Sequence, residues 1–198
     1  IDVVDLDVGD GNIDKIFGTL RKIEAELTHP IKGVIQLAGD LQGSLIERVD
    51  MDHIDDVMSA KAKGSQCLLE YFERYSCPLD FFIMFGSAAS VLAPQGQAIY
   101  AAANGFQSGL SHQARMGGLN ALTLSWGVWE KAGVAAQKVV DLVNRHGVQT
   151  IELQAGMDML EWSISMLKNH PADRSLFPAD IFVIPGPLDD LLKIVPEL

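Results

Sequence analysis

Short apolar runs of strand length alternate with amphipathic helical stretches along this 198-residue chain. A strand of a parallel sheet is covered on both faces, so it is a continuous apolar run, and a helix usually connects it to its neighbour. The alternation therefore predicts a layered α/β fold with a parallel sheet. The predicted strands are residues 3–6, 33–38, 81–85, 121–125 and 181–184, and the predicted helices are 13–27, 54–75, 98–116 and two stretches between 130 and 180.

The charge balance and the cysteine usage argue against several classes of protein. Fifteen Lys and Arg residues against 26 Asp and Glu residues give a net charge of −11, whereas binding to nucleic acid or an anionic membrane needs clustered basic residues. No apolar run reaches the roughly 18 residues of a membrane span. Cys67 and Cys77 form no Cys-x-x-Cys pair and have no histidine at ligand spacing. We therefore expect reduced thiols, a cytoplasmic location and no structural zinc.

A lysine interrupts the apolar face of the predicted helix over residues 54–75. Lys61 falls on the stripe that runs at three-and-four spacing from Ile54 to Phe72. Lys63 lies about 200° around the helix, on its polar face. A buried ammonium costs free energy unless some group accepts its charge. Lys61 therefore either extends its amine to solvent at the end of the stripe or serves a site, and the helix alone leaves both open.

A second set of polar side chains follows the predicted strand over residues 81–85. Ser87 lies in a turn of small residues after that strand, while Tyr100 and Asn104 are four residues apart and share one helix face. A lone tyrosine on a helix is usually a packed core residue. Three alanines and two glycines leave this helix with little bulk, however, so a backbone or a flat ligand can approach it closely. We expect these side chains and Lys61 to converge at one edge of the sheet.

This set resembles the catalytic tetrad of the ketoreductase domains of modular polyketide synthases, a branch of the short-chain dehydrogenase/reductase family. In that branch the lysine lies in a Lys-x-x-Gly helix, the serine closes the next strand, and the other two residues belong to Tyr-Ala-Ala-Ala-Asn. Lys61 with Gly64, then Ser87, Tyr100 and Asn104, are similar in type and order. Most other members of the family place the lysine four residues after the tyrosine. Residues 33–39 and 126–129 resemble the family's Gly-Val-Ile-His-Ala-Ala-Gly and Trp-Gly-x-Trp.

The resemblance extends from residue 1 to about 184 and implies a doubly wound, Rossmann-like parallel sheet. It implies an NADPH-dependent reductase whose β-ketoacyl thioester substrate is carried by the phosphopantetheine arm of an acyl carrier protein. It also implies that Lys61 contacts the nicotinamide ribose, that Gly39 lies behind the adenosine half and that Asp7 lies near the adenine. The full set of cofactor contacts that it implies is Asp7, Ala38, Gly39, Lys61, Tyr100 and Val128.

The implied chemistry agrees with the residue types. A phenol is a poor proton donor at neutral pH, and a nearby ammonium such as that of Lys61 makes it a better one. Tyr100 would give its proton to the substrate carbonyl as hydride arrives, while Ser87 hydrogen-bonds the same oxygen. Asn104 would hold a water or a backbone group in the proton relay.

The chain departs from the family at the cofactor phosphates. It contains no Gly-x-Gly-x-x-Gly turn, whose backbone amides would hold the pyrophosphate at a helix N-terminus. By the resemblance, its first strand is the third of the family sheet, and the order 3-2-1-4-5 puts two absent strands between residues 3–6 and 33–38. We therefore expect residues 1–198 to be the C-terminal portion of one ketoreductase catalytic domain, and to bind NADPH weakly alone.

Some features leave alternatives open. Residues 40–43 replace the family's Leu-Asp-Asp signature and the alternative tryptophan marker is absent, so the configuration of the alcohol is not predicted. Residues 130–145 suit a lid over an acyl chain and a plain surface helix equally well. The rival function is a redox-inactive domain that scaffolds or epimerises. Asp50, Asp52 and His53 have a plausible ligand spacing, but acids at a helix start are favoured by capping, so no metal is predicted.

Overall fold

The computed structural model describes residues 2–75, 78–92, 95–130, 149–169 and 177–187. Within these residues, four parallel strands form one sheet in the order β1-β2-β3-β4. The predicted α/β fold with a parallel sheet is confirmed, and four of the five predicted strands are present. They are β1 (Gly33–Gln36), β2 (Phe81–Ser87), β3 (Ala121–Trp126) and β4 (Asp180–Val183).

Helices connect or follow these strands. A π-helical segment, Ser59–Lys63, joins two α-helices, so the predicted helix over residues 54–75 is part of a longer helical run whose middle is not α-helical. One predicted helical stretch after β3 falls largely on residues 131–148, outside the described residues. In the described part of the chain, no helix is both long and apolar enough to cross a membrane. The α-helices are α1 (Ile13–Glu26), α2 (Met51–Met58), α3 (Gly64–Tyr75), α4 (Ala89–Leu92), α5 (Ala98–Met116) and α6 (Leu153–Asn169).

Capping side chains fix where α1 and α2 begin. Asn12 Oδ1 accepts a hydrogen bond from the Lys15 N–H at 3.0 Å, and Asp50 Oδ1 accepts one from the His53 N–H at 2.8 Å. The first turn of a helix has backbone donors without an intrahelical partner, and these oxygens satisfy one each. Asp50 therefore acts as a helix cap, as its position in the sequence suggests.

Residues 3–6 do not form the predicted strand. They are unpaired in the described chain, and Val3 and Val4 are 92% and 49% exposed. A strand persists only where a neighbouring strand pairs its backbone N–H and C=O groups, and within the described residues β1 pairs with β2 alone. The sheet thus has an open edge at β1, rather than the expected gap between two strands. Leu37, just beyond β1, is 60% exposed.

Apolar side chains cover both faces of the sheet. On one face, α1, α3 and α5 pack against Phe82 and Met84 of β2. On the other face, α6 packs against Ile83 of β2 and Leu122 of β3. Alternate residues of β2 thus enter opposite cores, as the two-residue period of a strand requires. Because the strands are parallel, the residues at their carboxyl ends are presented at one edge of the sheet.

Candidate active site

Lys61 lies in the π-helical segment Ser59–Lys63. The Gly64 N–H donates to the first carbonyl of that segment, five residues earlier, where an α-helix would bond it to Ala60. The Ala60 carbonyl accepts a hydrogen bond from Gln36 Nε2 at 2.7 Å. Turns of this kind are frequent at functional sites. This one ties the Lys61 segment to the end of β1.

The Lys61 amine is buried and does not reach solvent. The residue is only 5% exposed, and its Nζ donates to the Phe85 carbonyl at 2.6 Å and to Gln107 Oε1 at 3.4 Å. No carboxylate of the described residues pairs with it. Burial lowers the pKa of the Lys61 amine to about 8. At neutral pH the site therefore contains an ammonium whose hydrogen bonds all go to neutral groups.

Tyr100 is the aromatic neighbour of that ammonium. Lys61 Nζ lies 5.8 Å from the centroid of the Tyr100 ring, and the tyrosine is 8% exposed. The ring packs in a small apolar cluster with Val57, Ala89 and Ala103, which come from α2, α4 and α5. Three helices therefore fix the phenol, and the lysine places a positive charge close to it.

Asn104 is fully buried one turn further along α5. Its Nδ2 donates to the Tyr100 carbonyl at 2.7 Å, whereas its Oδ1 has no partner in the described chain. A buried polar atom without a partner is costly, and such atoms usually bind water or a ligand. The amide thus braces the first turn of α5 and leaves one acceptor available beside Tyr100.

Ser87 ends β2 and is half-buried. It pairs in register with Trp126 of β3, and its Oγ accepts a hydrogen bond from the Ala89 N–H at 3.2 Å. The Ala88 N–H donates to the Trp126 carbonyl at 2.8 Å, which fixes the turn into α4. The serine hydroxyl is therefore held at the carboxyl end of the sheet, and its proton is not used in the bond from Ala89.

Gly39 is the predicted cofactor residue that lies against the lysine. A Cβ added to Gly39 would stand 2.7 Å from Lys61 Cε, so only glycine allows the loop after β1 to pass so close to this side chain. Ala38 and Gly39 are both exposed. They leave open backbone at the end of β1, directly over the lysine.

The other two predicted cofactor residues make local contacts. Asp7 Oδ1 accepts a hydrogen bond from the Gly9 N–H at 2.8 Å, and a Cβ on Gly9 would lie 2.9 Å from the Ser59 carbonyl carbon. The Asp7 turn therefore packs against the π-helical segment. Val128, just after β3, accepts a hydrogen bond at its carbonyl from the Ile151 N–H at 2.8 Å. Of residues 130–145, which suit a lid and a surface helix equally well, all but Glu130 lie outside the described part.

Sequence reasoning missed two buried glutamines. Gln36 bonds the π-helical segment, and Gln107 bonds Lys61 while its Nε2 donates to Ser65 Oγ at 2.9 Å. Gln107 stands seven residues after Tyr100, which is two turns along the same helix face. An amide side chain seven residues after Tyr100, on the buried face of the helix, is the sequence signal that could have identified Gln107 as part of the site.

The fold and the site define a Rossmann-like domain of the short-chain dehydrogenase/reductase type. Residues 1–131 match the family model described as "KR domain". The chain therefore belongs to the KR domain family, the ketoreductase domains of polyketide synthases.

Relatives with curated descriptions are large synthases. The chain is 33% identical over 154 residues to the compactin diketide synthase of Penicillium citrinum, a match that covers 76% of this chain and 6% of the synthase. It is 34% identical over 135 residues to an erythronolide synthase of Saccharopolyspora erythraea, covering 68% of this chain and 4% of that protein. The chain thus spans a small part of these relatives.

Ketoreductases are among the solved structures with the same fold. An A-type ketoreductase from a modular polyketide synthase superposes with a TM-score of 0.77 at 26% identity, covering 95% of this chain and 37% of that one. The N-terminal ketoreductase of the macrolactin assembly line gives 0.74 at 26% identity, covering 98% and 35%. The chain spans little more than a third of these two structures.

Proposed function

We propose that this chain is the catalytic portion of an NADPH-dependent β-ketoacyl reductase. The proposed substrate is a β-ketoacyl thioester on the phosphopantetheine arm of an acyl carrier protein, and the product is the β-hydroxyacyl thioester. The observation that carries the proposal is the Lys61 amine, which is buried 5.8 Å from the centre of the Tyr100 ring. A structural lysine gains nothing from that position, because burial disfavours its charge.

The reduction adds one hydride and one proton across the ketone. NADPH supplies the hydride to the carbonyl carbon when it is bound. Tyr100 gives its phenolic proton to the carbonyl oxygen, and the Lys61 ammonium stabilises the negative charge left on the phenol. Ser87 donates its hydroxyl proton in a hydrogen bond to the same carbonyl oxygen as negative charge develops there.

Asn104 serves the return of the proton in this scheme. Its unpartnered Oδ1 accepts a hydrogen bond from a water that reaches the Tyr100 and Lys61 side of the site. Its Nδ2 bond to the Tyr100 carbonyl keeps the helix turn that carries the phenol in place. The proposal therefore uses both ends of this amide.

The described residues fit the nicotinamide end of the cofactor. Lys61 would hold the nicotinamide ribose together with Tyr100, and Gly39, exposed beside Ala38 and close against the Lys61 stem, would lie behind the adenosine half. We also propose that Asp7 lies near the adenine and that Val128 contacts the cofactor.

The phosphate end of the cofactor is different. The sequence has no Gly-x-Gly-x-x-Gly turn to hold a pyrophosphate. We therefore assign the phosphate-binding part to residues other than these 198, and we propose that residues 1–198 form the C-terminal portion of one ketoreductase catalytic domain in a multidomain, cytoplasmic synthase. The other partner is the acyl carrier protein.

A redox-inactive domain is the second candidate. The absence of the phosphate-binding turn favours it, because a domain that only scaffolds or epimerises does not need to turn over NADPH. Epimerisation would use the same Tyr100 to exchange the proton at the α-carbon of the substrate, with no net change in oxidation state.

Reconstitution distinguishes these candidates. The chain is mixed with a ketoreductase N-terminal half that carries the Gly-rich turn, and NADPH absorbance is followed with a β-ketoacyl thioester as substrate. Oxidation of NADPH that depends on both halves supports the reductase. Tight NADPH binding without oxidation, together with exchange of the α-proton into deuterated water, would support the epimerising domain instead. Free and carrier-bound ketones are compared as substrates, because a metabolic dehydrogenase would prefer the free ketone.

A further inference from the structure

Gln107 connects the Lys61 amine to a buried network. The glutamine is fully buried on α5, and its side chain lies between Lys61 Nζ, 3.4 Å from Oε1, and Ser65 Oγ, 2.9 Å from Nε2. Its backbone carbonyl accepts a hydrogen bond from Thr123 Oγ1 of β3 at 3.0 Å. Both the backbone and the side chain of Gln107 are therefore fixed.

The donor and acceptor roles set the orientation of this amide. An ammonium has three donors and no acceptor, so the Gln107 oxygen must face Lys61. The NH₂ group then faces Ser65, whose hydroxyl can accept the bond. Ser65 is fully buried as well. The serine thereby prevents the amide from turning over and presenting its positive end to the lysine.

No other side chain accepts a bond from the amine in the described residues. The amine donates to the Phe85 carbonyl of β2 and lies near the Tyr100 ring of α5, while the carbons of the Lys61 stem lie against Gly39 in the loop after β1. Asp55, an acid of the same helical run, pairs with Lys63 at 2.7 Å, where both side chains are more than half exposed. Tyr100 is therefore the one titratable group that the structure brings against Lys61 in this part of the chain.

We propose that Gln107, oriented by Ser65, is a positioning residue that keeps the Lys61 ammonium charged and aimed at Tyr100. The carbonyl oxygen of the amide stabilises the charged amine and not the neutral one, so it opposes the loss of charge that burial favours. The consequence for catalysis rests on the proposed function, whereas the contact itself can be tested without turnover.

Titration of Lys61 in the 198-residue chain tests the contact. The carbon-13 shift of Lys61 Cε is followed against pH, with Lys61→Arg to assign the signal. Gln107→Met keeps the length of the side chain but removes the acceptor, and we expect the titration midpoint to fall by about one pH unit below the wild-type value. Gln107→Glu supplies a carboxylate, and we expect the midpoint to rise above the wild-type value.

Ser111→Ala is the matched control. Ser111 is fully buried on the same helix, one turn beyond Gln107; its Oγ donates to the Ala179 carbonyl at 2.7 Å and accepts from Thr123 Oγ1 at 3.2 Å, so it shares the backbone support of Gln107 without contacting Lys61. It should leave the Lys61 midpoint unchanged. If Gln107→Met does not fold, as judged by circular dichroism, Ser65→Ala replaces it, because release of the amide should lower the midpoint in the same direction by less. The proposal would be overturned if the Lys61 midpoint in Gln107→Glu, and also in Gln107→Met or its replacement Ser65→Ala, equalled the midpoint in Ser111→Ala.

Turnover gives a second and separate readout. In the reconstituted reductase, Gln107→Met should lower kcat by about tenfold while KM for the thioester stays nearly constant, and the alkaline limb of the kcat profile should move to lower pH. If the Gln107 variants shift the Lys61 titration but the reconstituted wild type is inactive, the contact between Gln107 and Lys61 is supported and the reductase function is rejected. If the wild type is active but the Gln107 variants leave the Lys61 titration unshifted, only the proposed role of Gln107 is rejected.

Discussion

The two buried tyrosines of this chain have opposite electrostatic surroundings. Tyr71 on α3 donates its hydroxyl proton to Glu24, inside an aromatic cluster with Phe17 and Tyr75. Burial, with that carboxylate beside it, raises the pKa of the Tyr71 phenol above its ordinary value. Tyr100 has the Lys61 ammonium as its charged neighbour. A phenol beside a carboxylate retains its proton and serves structure, whereas a phenol beside an ammonium can release its proton to a substrate.

Replacing each tyrosine with phenylalanine is the most direct way to distinguish the catalytic role of Tyr100 from the structural role of Tyr71. Tyr100→Phe should lower kcat of the reconstituted reductase by about a thousandfold, because it removes the proton donor, and should leave the circular dichroism spectrum and NADPH affinity nearly unchanged. Tyr71→Phe should change kcat by less than about threefold. Retained activity in Tyr100→Phe would refute the acid role.

The charge that distinguishes the two tyrosines can be removed at Lys61. Lys61→Met should lower kcat by about a hundredfold, since the phenol loses the ammonium that favours proton release. Lys63→Met is the matched control, because Lys63 is exposed and paired with Asp55 in the same helical run. Equal activity of the two methionine variants would contradict the role of Lys61.

The same variant changes how stability depends on pH. Burial lowers the pKa of Lys61 from 10.5 to about 8, so the unfolded chain holds more protons between those values and the free energy of unfolding rises with pH there. This rise in the free energy of unfolding is at most about 3 kcal/mol, and it is absent below pH 8, where Lys61 is charged in both states. In urea titrations from pH 8 to 10.5, Lys61→Met should lose the rise that Lys63→Met retains. A rise of equal size in both would mean that Lys61 is not buried.

Gly39 allows a smaller perturbation of the same contact. Gly39→Ala would place a Cβ 2.7 Å from Lys61 Cε and must displace the lysine stem. We expect kcat to fall by about tenfold, with the lysine still present and the fold retained. Gly105→Ala on α5 is the control, because nothing lies within 4 Å of a Cβ there. An effect of the same size in both variants would argue against a specific contact with the lysine.

Tyr71 should show the smallest effect, on stability alone. Tyr71→Phe removes a hydrogen bond to a carboxylate, so the free energy of unfolding should fall by about 1–2 kcal/mol at neutral pH. Because the raised pKa of Tyr71 stabilises the fold below pH 10 and this stability is lost as pH rises further, the difference from wild type should shrink above pH 10. A difference that is constant up to pH 11 in urea titrations would contradict the assigned surroundings.

The sequence predicted the parts of the fold that depend on local pattern. Four strands are mainly apolar runs of strand length, and that local pattern is sufficient to identify them. Residues 3–6 have the same apolar character, but a strand also requires a partner, and the sequence pattern carries no information about whether one is present. That prediction was wrong for this reason.

The site was only partly accessible to sequence reasoning. Helical spacing put Lys61 on the buried face, and the structure shows its amine buried. The π-helical segment was not predicted, because it depends on Gln36 bonding Ala60 and on the close packing of Gly9 against Ser59. Gln107 was missed because its partner, Lys61, lies 46 residues away in the chain. Contacts between distant segments create both features.

The position of one amine beside one phenol can be measured directly in the isolated chain. Titration of Lys61 by carbon-13 NMR, combined with nuclear Overhauser contacts from its Cε protons to the Tyr100 ring, needs neither cofactor nor substrate. The structure predicts a midpoint of about 8 and a contact to that ring. A midpoint at the ordinary 10.5 with no contact to the Tyr100 ring would contradict the account.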